Sequence, residues 1–458
     1  MDAGSLDRSR QRADGIVRRH KKIAMVIWPQ LGGFLLLGYV TMPRSFAYLG
    51  IPPLKLFMGE IALATFLFLK PRIVLGTWVA SLLRASPLNA LGVVLLVFMS
   101  YGIWQMWRGV LGGSAVFYTL KFFIFNYYAL YLFLGIWIGL HAPDFLPKLI
   151  RVIAWVHGIY GLAWLLVLDY VEIKVPGAEV RLFNHPGDGA IVILGLLCFE
   201  RNLRSVLPVL VLDILVLLTM QVRAQWLGLA LGVLVWGLLT RRFGRVVAMG
   251  AAGLMVLGMI ELAGVDWAGR TGGVSLGQTL SRVLAPVDIE LAAQFSPDAE
   301  RHASTTEWRE RWWEQIWLSV HSRPALEAFG HGYGFDLFEL APLDVREDQS
   351  KWEVRTPHSV FYYALGYTGW VGVALFVALQ AVILKLVWRS FTLTGQPAGV
   401  VFWVLGISAA CFEQSFETPY KAIPFYLLMG MCIAPGLQPR GEWHAPPARA
   451  QLLPEAGR

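Results

Sequence analysis

Four sets of polar residues in this chain have types and spacings that could do chemistry together. Arg181 stands in Arg181-Leu-Phe-Asn-His-Pro-Gly187, and Arg223 in the short stretch Gln221-Val-Arg-Ala-Gln225. Arg309 and Arg311 lie in Thr305–Val320, and His358 in Arg355-Thr-Pro-His-Ser359. A guanidinium fork matches phosphate oxygens bidentately and stays charged at any working pH, so arginines converging near one histidine make a site for a diphosphate. The histidine could take a proton from an attacking hydroxyl near neutral pH. An unperturbed imidazole titrates near ~6.5, and the rate is then expected to fall as pH drops through that value. Taken singly, each cation reads equally well as a snorkelling side chain or a lipid headgroup contact. Asp-x-Asp, His-Glu-x-x-His and clustered Cys/His patterns are absent, which suggests no metal-bound diphosphate and no metal or other cofactor. There is no Walker loop either, so the substrate is expected to arrive already energised.

The elements that must position these residues are membrane helices. Of 458 residues 56% are hydrophobic and only 15% charged, with a mean hydropathy of +0.55. Uninterrupted apolar runs such as Val206–Met220 and Trp226–Leu239 are too continuous for the in/out alternation of a membrane barrel, and about 20 apolar residues cross a hydrocarbon core as a helix. The expected fold is therefore all-α and polytopic, with about 12 transmembrane helices, at 23–41, 51–69, 89–107, 116–140, 148–168, 184–199, 205–221, 225–240, 246–265, 358–384, 399–415 and 421–437. Interruptions around Ile51–Pro53 and Asn184–Pro186 mark partly re-entrant segments. Five units follow: a basic tail (1–22), nine helices (23–265), a long loop (266–357), three helices (358–437) and a second tail (438–458). Arg8–Lys22 leads straight into the first span without a small-residue cleavage site, which reads as an uncleaved anchor. Cys198, Cys411 and Cys432 all fall in apolar stretches, so no disulfide framework is expected.

The net charge of +8 could suggest nucleic acid, but the placement of the basic residues argues against that partner. With the N terminus in the cytosol, 22 of the 39 Lys and Arg fall in cytosolic segments, 8 at outer short loops and helix ends, and 9 in the long loop. That asymmetry sets both termini in the cytosol and the 266–357 loop on the outer face of the membrane. The outer cations are Arg44, Lys55, Arg108, Lys121, Lys174, Arg181, Arg223 and Lys421. Within the long loop, Thr305–Val320 reads as an amphipathic helix capped at Thr305 or Thr306, with Trp308, Trp312, Trp313 and Trp317 at helical spacing. These tryptophans would form either a belt on the lipid headgroups or a platform on which sugars stack.

The motifs resemble those of the O-antigen ligase and polysaccharide polymerase superfamily over roughly residues 175–375. Four elements occur in order: Arg181 with Asn184-His-Pro186; Arg223-Ala-Gln-Trp-Leu-Gly228; Arg309-Glu-Arg-Trp-Trp313 running on to Pro324 and Gly330-His-Gly-Tyr-Gly334; and Pro357-His-Ser359 followed by Gly366-Tyr-Thr-Gly-Trp-Val-Gly372. The resemblance implies a metal-independent, inverting glycosyltransferase at the periplasmic face. Its donor would be an undecaprenyl-diphosphate-linked glycan and its acceptor the hydroxyl of a glycan or of a lipid A core, within the bilayer. Carried over by position, Arg181, Arg223 and Arg309 would bind the diphosphate and His358 would be the general base, with Arg311 and Lys121 as auxiliaries by topology. Val222 stands where a serine often does, Ser359 where an asparagine is common, and the gap from Pro324 to Gly330 is longer than usual.

Two alternatives stay open. An acceptor serine would make the chain a protein O-oligosaccharyltransferase of the same superfamily. A secondary transporter would use Glu60 and Asp213 as intramembrane acids, although the lack of an internal repeat and the lopsided long loop speak against it.

Overall fold

The computed structural model describes residues 27–438, except 52–55, 84, 201, 263–267, 271, 286–287 and 350–355. The expected tails fall almost wholly outside the described residues. Each of the twelve expected spans is helical over at least part of its length. Helix α1 covers 27–41 and is followed by the short α2 (Pro43–Tyr48) and by α3 (Met58–Leu69) and α4 (Pro71–Leu83). The bundle continues with α5 (Asn89–Leu111), α6 (Val116–Tyr127), α7 (Tyr131–His141), α8 (Phe145–Leu166), α9 (Gly189–Phe199), α10 (Leu207–Met220), α11 (Arg223–Thr240) and α12 (Phe243–Leu262). After the insertion come α18 (Val360–Thr394), α19 (Ala398–Ala410) and α20 (Pro419–Ile433).

Seven helical stretches among the described residues, with α6 and α7 taken as one, are long and apolar enough to cross a membrane, and the bent pair of α3 and α4 makes eight if it is one span. The expectation of about 12 full spans is corrected at definite places. Pro71 disfavours helical backbone at Lys70, so α3 stops there and α4 leaves at 78°. The segment expected at 184–199 is helical only from Gly189, because Pro186 cannot extend a helix backwards and Asp188 caps the new start by accepting from the Ala190 N–H. α19 ends at Ala410, so 411–418 is a connection rather than the end of a span.

Small residues let the helices close up. A side chain at Gly135 would meet the Leu427 carbonyl at 2.3 Å and one at Gly430 the Leu132 carbonyl at 2.2 Å, which brings α7 and α20 to backbone contact. The two intramembrane acids have interhelical partners. Glu60 accepts hydrogen bonds from the Tyr127 hydroxyl at 2.9 Å and from Tyr128, and Asp213 pairs with His157 Nδ1 at 2.8 Å.

The insertion holds α13 (Leu276–Leu284), α14 (Ile289–Ala293), α15 (Ala299–Val320), α16 (Pro324–Phe329), α17 (Leu343–Gln349) and a hairpin of two-residue strands, β1 (Ala268–Gly269) and β2 (Gly272–Gly273). The expected amphipathic helix begins six residues earlier than Thr305, at Ala299, with Asp298 in the cap position and Glu300 in the first turn.

Glycine places the insertion on the bundle. Gly369, inside α18, has φ +62°, and a Cβ there would strike the Ala328 backbone at 2.5 Å. The break frees carbonyls that an unbroken helix would use. Gly366 O accepts from the His331 N–H and Tyr367 O from the Gly332 N–H, both at 2.9 Å, while Thr368 O accepts from the Tyr101 hydroxyl at 2.6 Å. Gln105 and Arg108 of α5 donate to Phe329 O, each at 2.8 Å. The Gly330–Gly334 motif is thus a dock between α5 and the kink of α18.

Candidate functional site

Helix ends and connections from most of the chain gather cations at the end of the bundle that bears the insertion. His358 lies immediately before Ser359, the cap of α18, and its φ of +54° is left-handed. Such backbone costs a non-glycine residue about 1–3 kcal/mol and persists only where neighbours enforce it. The enforcing contacts come from α15. Trp313 Nε1–H donates to the Pro357 carbonyl at 2.6 Å, and its ring stacks on Tyr362 at 5.0 Å. Trp308 meets the His358 imidazole edge-on at 5.8 Å and carries the Arg309 guanidinium 5.3 Å from its centroid.

These contacts revise both readings of the four tryptophans. Trp312 is fully buried and donates to Leu337 O, so it lies neither on headgroups nor against a sugar, whereas Trp313 is partly buried, with one face on Tyr362 and its N–H on the Pro357 carbonyl. Trp308 is partly buried beside the histidine, and Trp317 alone of the four is exposed.

Arg309 donates to Phe412 O at 3.2 Å, while its Nε is buried without a partner. Arg223, at the first position of α11, stands close enough to depress the Arg309 pKa, second in effect only to burial; together they bring it to about 10. Arg223 also reaches the Arg282 carbonyl at 3.5 Å. Arg44 of α2 acts on His358 as well as on His185. Arg270, in the turn of the hairpin, is fixed by its N–H to Thr219 O at 3.0 Å. Burial first, then Arg44, lower its pKa. On the far side Lys421 Nζ lies 2.9 Å from both Asp188 Oδ2 and Glu413 Oε1. Burial pushes the Glu413 carboxyl up, and Lys421 pulls it back.

Five cations (Arg44, Arg223, Arg270, Arg309 and Lys421) therefore face the carboxylates of Asp188 and Glu413, with the buried Glu417 carboxyl, raised to about 7 by burial, beside Glu413. Like charges this close repel, and a dianion entering among them relieves that repulsion. The histidines show the same field. His358 is lowered to about 3 by burial, then by Arg309 and Arg44. His185 falls to about 4 through burial, then Arg270. Both rings are neutral at pH 7, which corrects the expectation of an acid limb near ~6.5 in the free protein.

Of the residues read from sequence, the fold brings Arg223, Arg309 and His358 together. It does not bring Arg181 or Arg311 to them. Arg181 pairs with Glu172 at 3.2 Å and Asp169 at 3.7 Å on an exposed stretch. Arg311, two residues from Arg309 and so turned to another side of α15, pairs with Asp344 at 2.6 Å. Lys121 is exposed on α6. The motif reading missed Arg44, His185, Arg270 and Lys421. Arg44 and Lys421 were visible as cations at the expected outer end, and His185 within its own motif.

A multi-pass helical membrane protein with a cationic site where a long insertion meets the bundle is thus the class that the fold defines. Residues 208–377 match the family model described as O-antigen ligase, which supports membership of the O-antigen ligase superfamily and, with it, a glycan-transferring membrane enzyme. No curated protein matches the chain.

Proposed function

We propose that the chain is an inverting glycosyltransferase that moves a glycan from a polyprenyl diphosphate, of the undecaprenyl type, to an acceptor hydroxyl at the periplasmic face of a bacterial inner membrane. The observation that carries this reading is the convergence of Arg309 and Arg44 on a neutral His358, with Arg223 beside Arg309. The acceptor oxygen attacks the anomeric carbon from the face opposite the phosphate, its proton passes to the imidazole, and the electron pair of the breaking carbon–oxygen bond leaves on the diphosphate. Arg223 and Arg309 hold that leaving group, with Arg44, Arg270 and Lys421 completing the field.

The electrostatics couple the base to the donor. Beside Arg309 and Arg44 the imidazole is a weak base. A bound diphosphate neutralises them and raises its proton affinity, so full basicity comes with the donor in place. An apolar crevice lined by Phe402, Leu405, Phe425 and Leu428 shares Asp188 and Lys421 with the cationic cluster, which suits a diphosphate carried on a lipid. A glycan or a lipid A core as acceptor would make the enzyme a polymerase or a ligase.

Purified protein supplied with a polyprenyl-diphosphate glycan and an acceptor should release free polyprenyl diphosphate with stoichiometric glycan transfer. EDTA should leave the rate unchanged, since guanidinium groups hold the leaving group. No release with several acceptor classes would overturn the reading. A loss of activity in EDTA that magnesium restores would overturn its arginine-only account of the diphosphate.

A further inference from the structure

We propose that Trp313 is a positioning residue for the transfer step, holding the backbone turn that presents His358. The inference rests on the reading of His358 as the base. Pro357 O belongs to the peptide plane that ends at the His358 nitrogen, so its direction is tied to φ of His358 once Ser359 and α18 are fixed. That φ is +54°, in the region L residues avoid. In the ordinary negative-φ region the plane would swing, and the carbonyl would leave the Trp313 Nε1–H that now meets it at 2.6 Å. The indole can hold the plane because it is itself held: its ring is stacked on Tyr362, in the first turn of α18, at 5.0 Å and 11°. One side chain on α15 therefore ties together the residue before the histidine and the helix after it. Arg309, four residues earlier on α15, lies one turn away on the same face. The base and a cation of the diphosphate site are thus referenced to one helix. Trp312, the adjacent residue, makes a chemically similar bond to Leu337 O at 2.9 Å but touches neither Pro357 nor His358 in this way.

The test compares Trp313→Phe, which keeps a ring on Tyr362 and removes the donor, with Trp312→Phe, which removes a like donor elsewhere. Steady-state transfer from a polyprenyl-diphosphate glycan is measured for both, with His358→Gln alongside. Trp313→Phe should lower kcat roughly tenfold, the usual consequence of losing one well-aligned hydrogen bond from a positioned group, and leave donor KM within about twofold. Trp312→Phe should lower thermal stability without lowering kcat. Wild-type kcat in Trp313→Phe, or an equal kcat loss in Trp312→Phe, overturns the inference while leaving the base reading intact. Near-normal turnover in His358→Gln overturns the base reading itself, and this inference with it. If Trp313→Phe does not accumulate as folded protein, Tyr362→Leu weakens the same contact from the other side, and an unchanged kcat there overturns the inference.

Discussion

The dock of the insertion and the cationic site lie at the same end of the bundle and are built on opposite principles. At the dock, the carbonyls freed by the α18 kink receive the His331 and Gly332 amides and the Tyr101 hydroxyl, and Asn126 accepts from the Tyr333 hydroxyl at 2.5 Å. Polar groups there find one another, and the result is rigid. At the site, Arg223 and Arg309 stand close enough for one to lower the other's pKa, Arg309 Nε is buried without a hydrogen-bond partner among the described residues, and a histidine is held in strained backbone. That arrangement is poor for stability unless a ligand completes it. The difference teaches that the first region stabilises the platform on which the second stores its repulsion and strain.

The comparison can be broken first at the arginines. Arg309→Lys and Arg223→Lys should each lose about 100-fold or more in transfer, nearly as much as the alanine variants, because a point charge does not reproduce the guanidinium fork. Donor binding should weaken while the folded fraction is unchanged. Full activity in either lysine variant would make that arginine a structural or headgroup contact.

At the dock the effect should fall on stability instead. Gly369→Ala places a Cβ 2.5 Å from the Ala328 backbone at positive φ, a cost of about 2–5 kcal/mol from strain and overpacking together. Detergent-extracted Gly369→Ala should unfold at lower temperature than wild type, whereas turnover per folded molecule should change little. An unchanged melting temperature would show that the kink adapts.

The smallest effects are expected at Arg181 and Arg311. Both sit in exposed ion pairs, which contribute little in water. Arg181→Gln and Arg311→Gln should keep transfer within about twofold of wild type. A tenfold loss in either would return that residue to the diphosphate site.

How far these assignments were legible in the sequence depends on what kind of information each needed. Apolar runs gave helices at all twelve expected places, because continuous hydrophobicity admits little else in a membrane. Their ends were set by single residues, Pro71 at α4 and Asp188 at α9, whose effect on span length is local and easily missed. Arg223, Arg309 and His358 stood out because each marks a helix end or lies in a dense motif. Arg181 stood out equally, and only the fold shows Glu172 and Asp169 beside it. Arg44 and Arg270 carry no local pattern at all. They reach the site through the packing of α2 and the hairpin, which no spacing along the chain encodes.

The measurement that bears most directly on the central claim is the pH dependence of kcat/KM for glycan transfer, compared between wild type and His358→Gln. Wild type should hold its rate from about pH 7.5 down to about pH 5, since burial and the arginines keep the free imidazole unprotonated to about 3. The limb in kcat should lie at higher pH than that in kcat/KM, because the bound diphosphate restores proton affinity. His358→Gln, which keeps a donor but has no useful basicity, should be slower by at least ~100-fold across the range. Near-normal turnover with glutamine would contradict the account, leaving His358 as a hydrogen-bond donor to phosphate rather than the base.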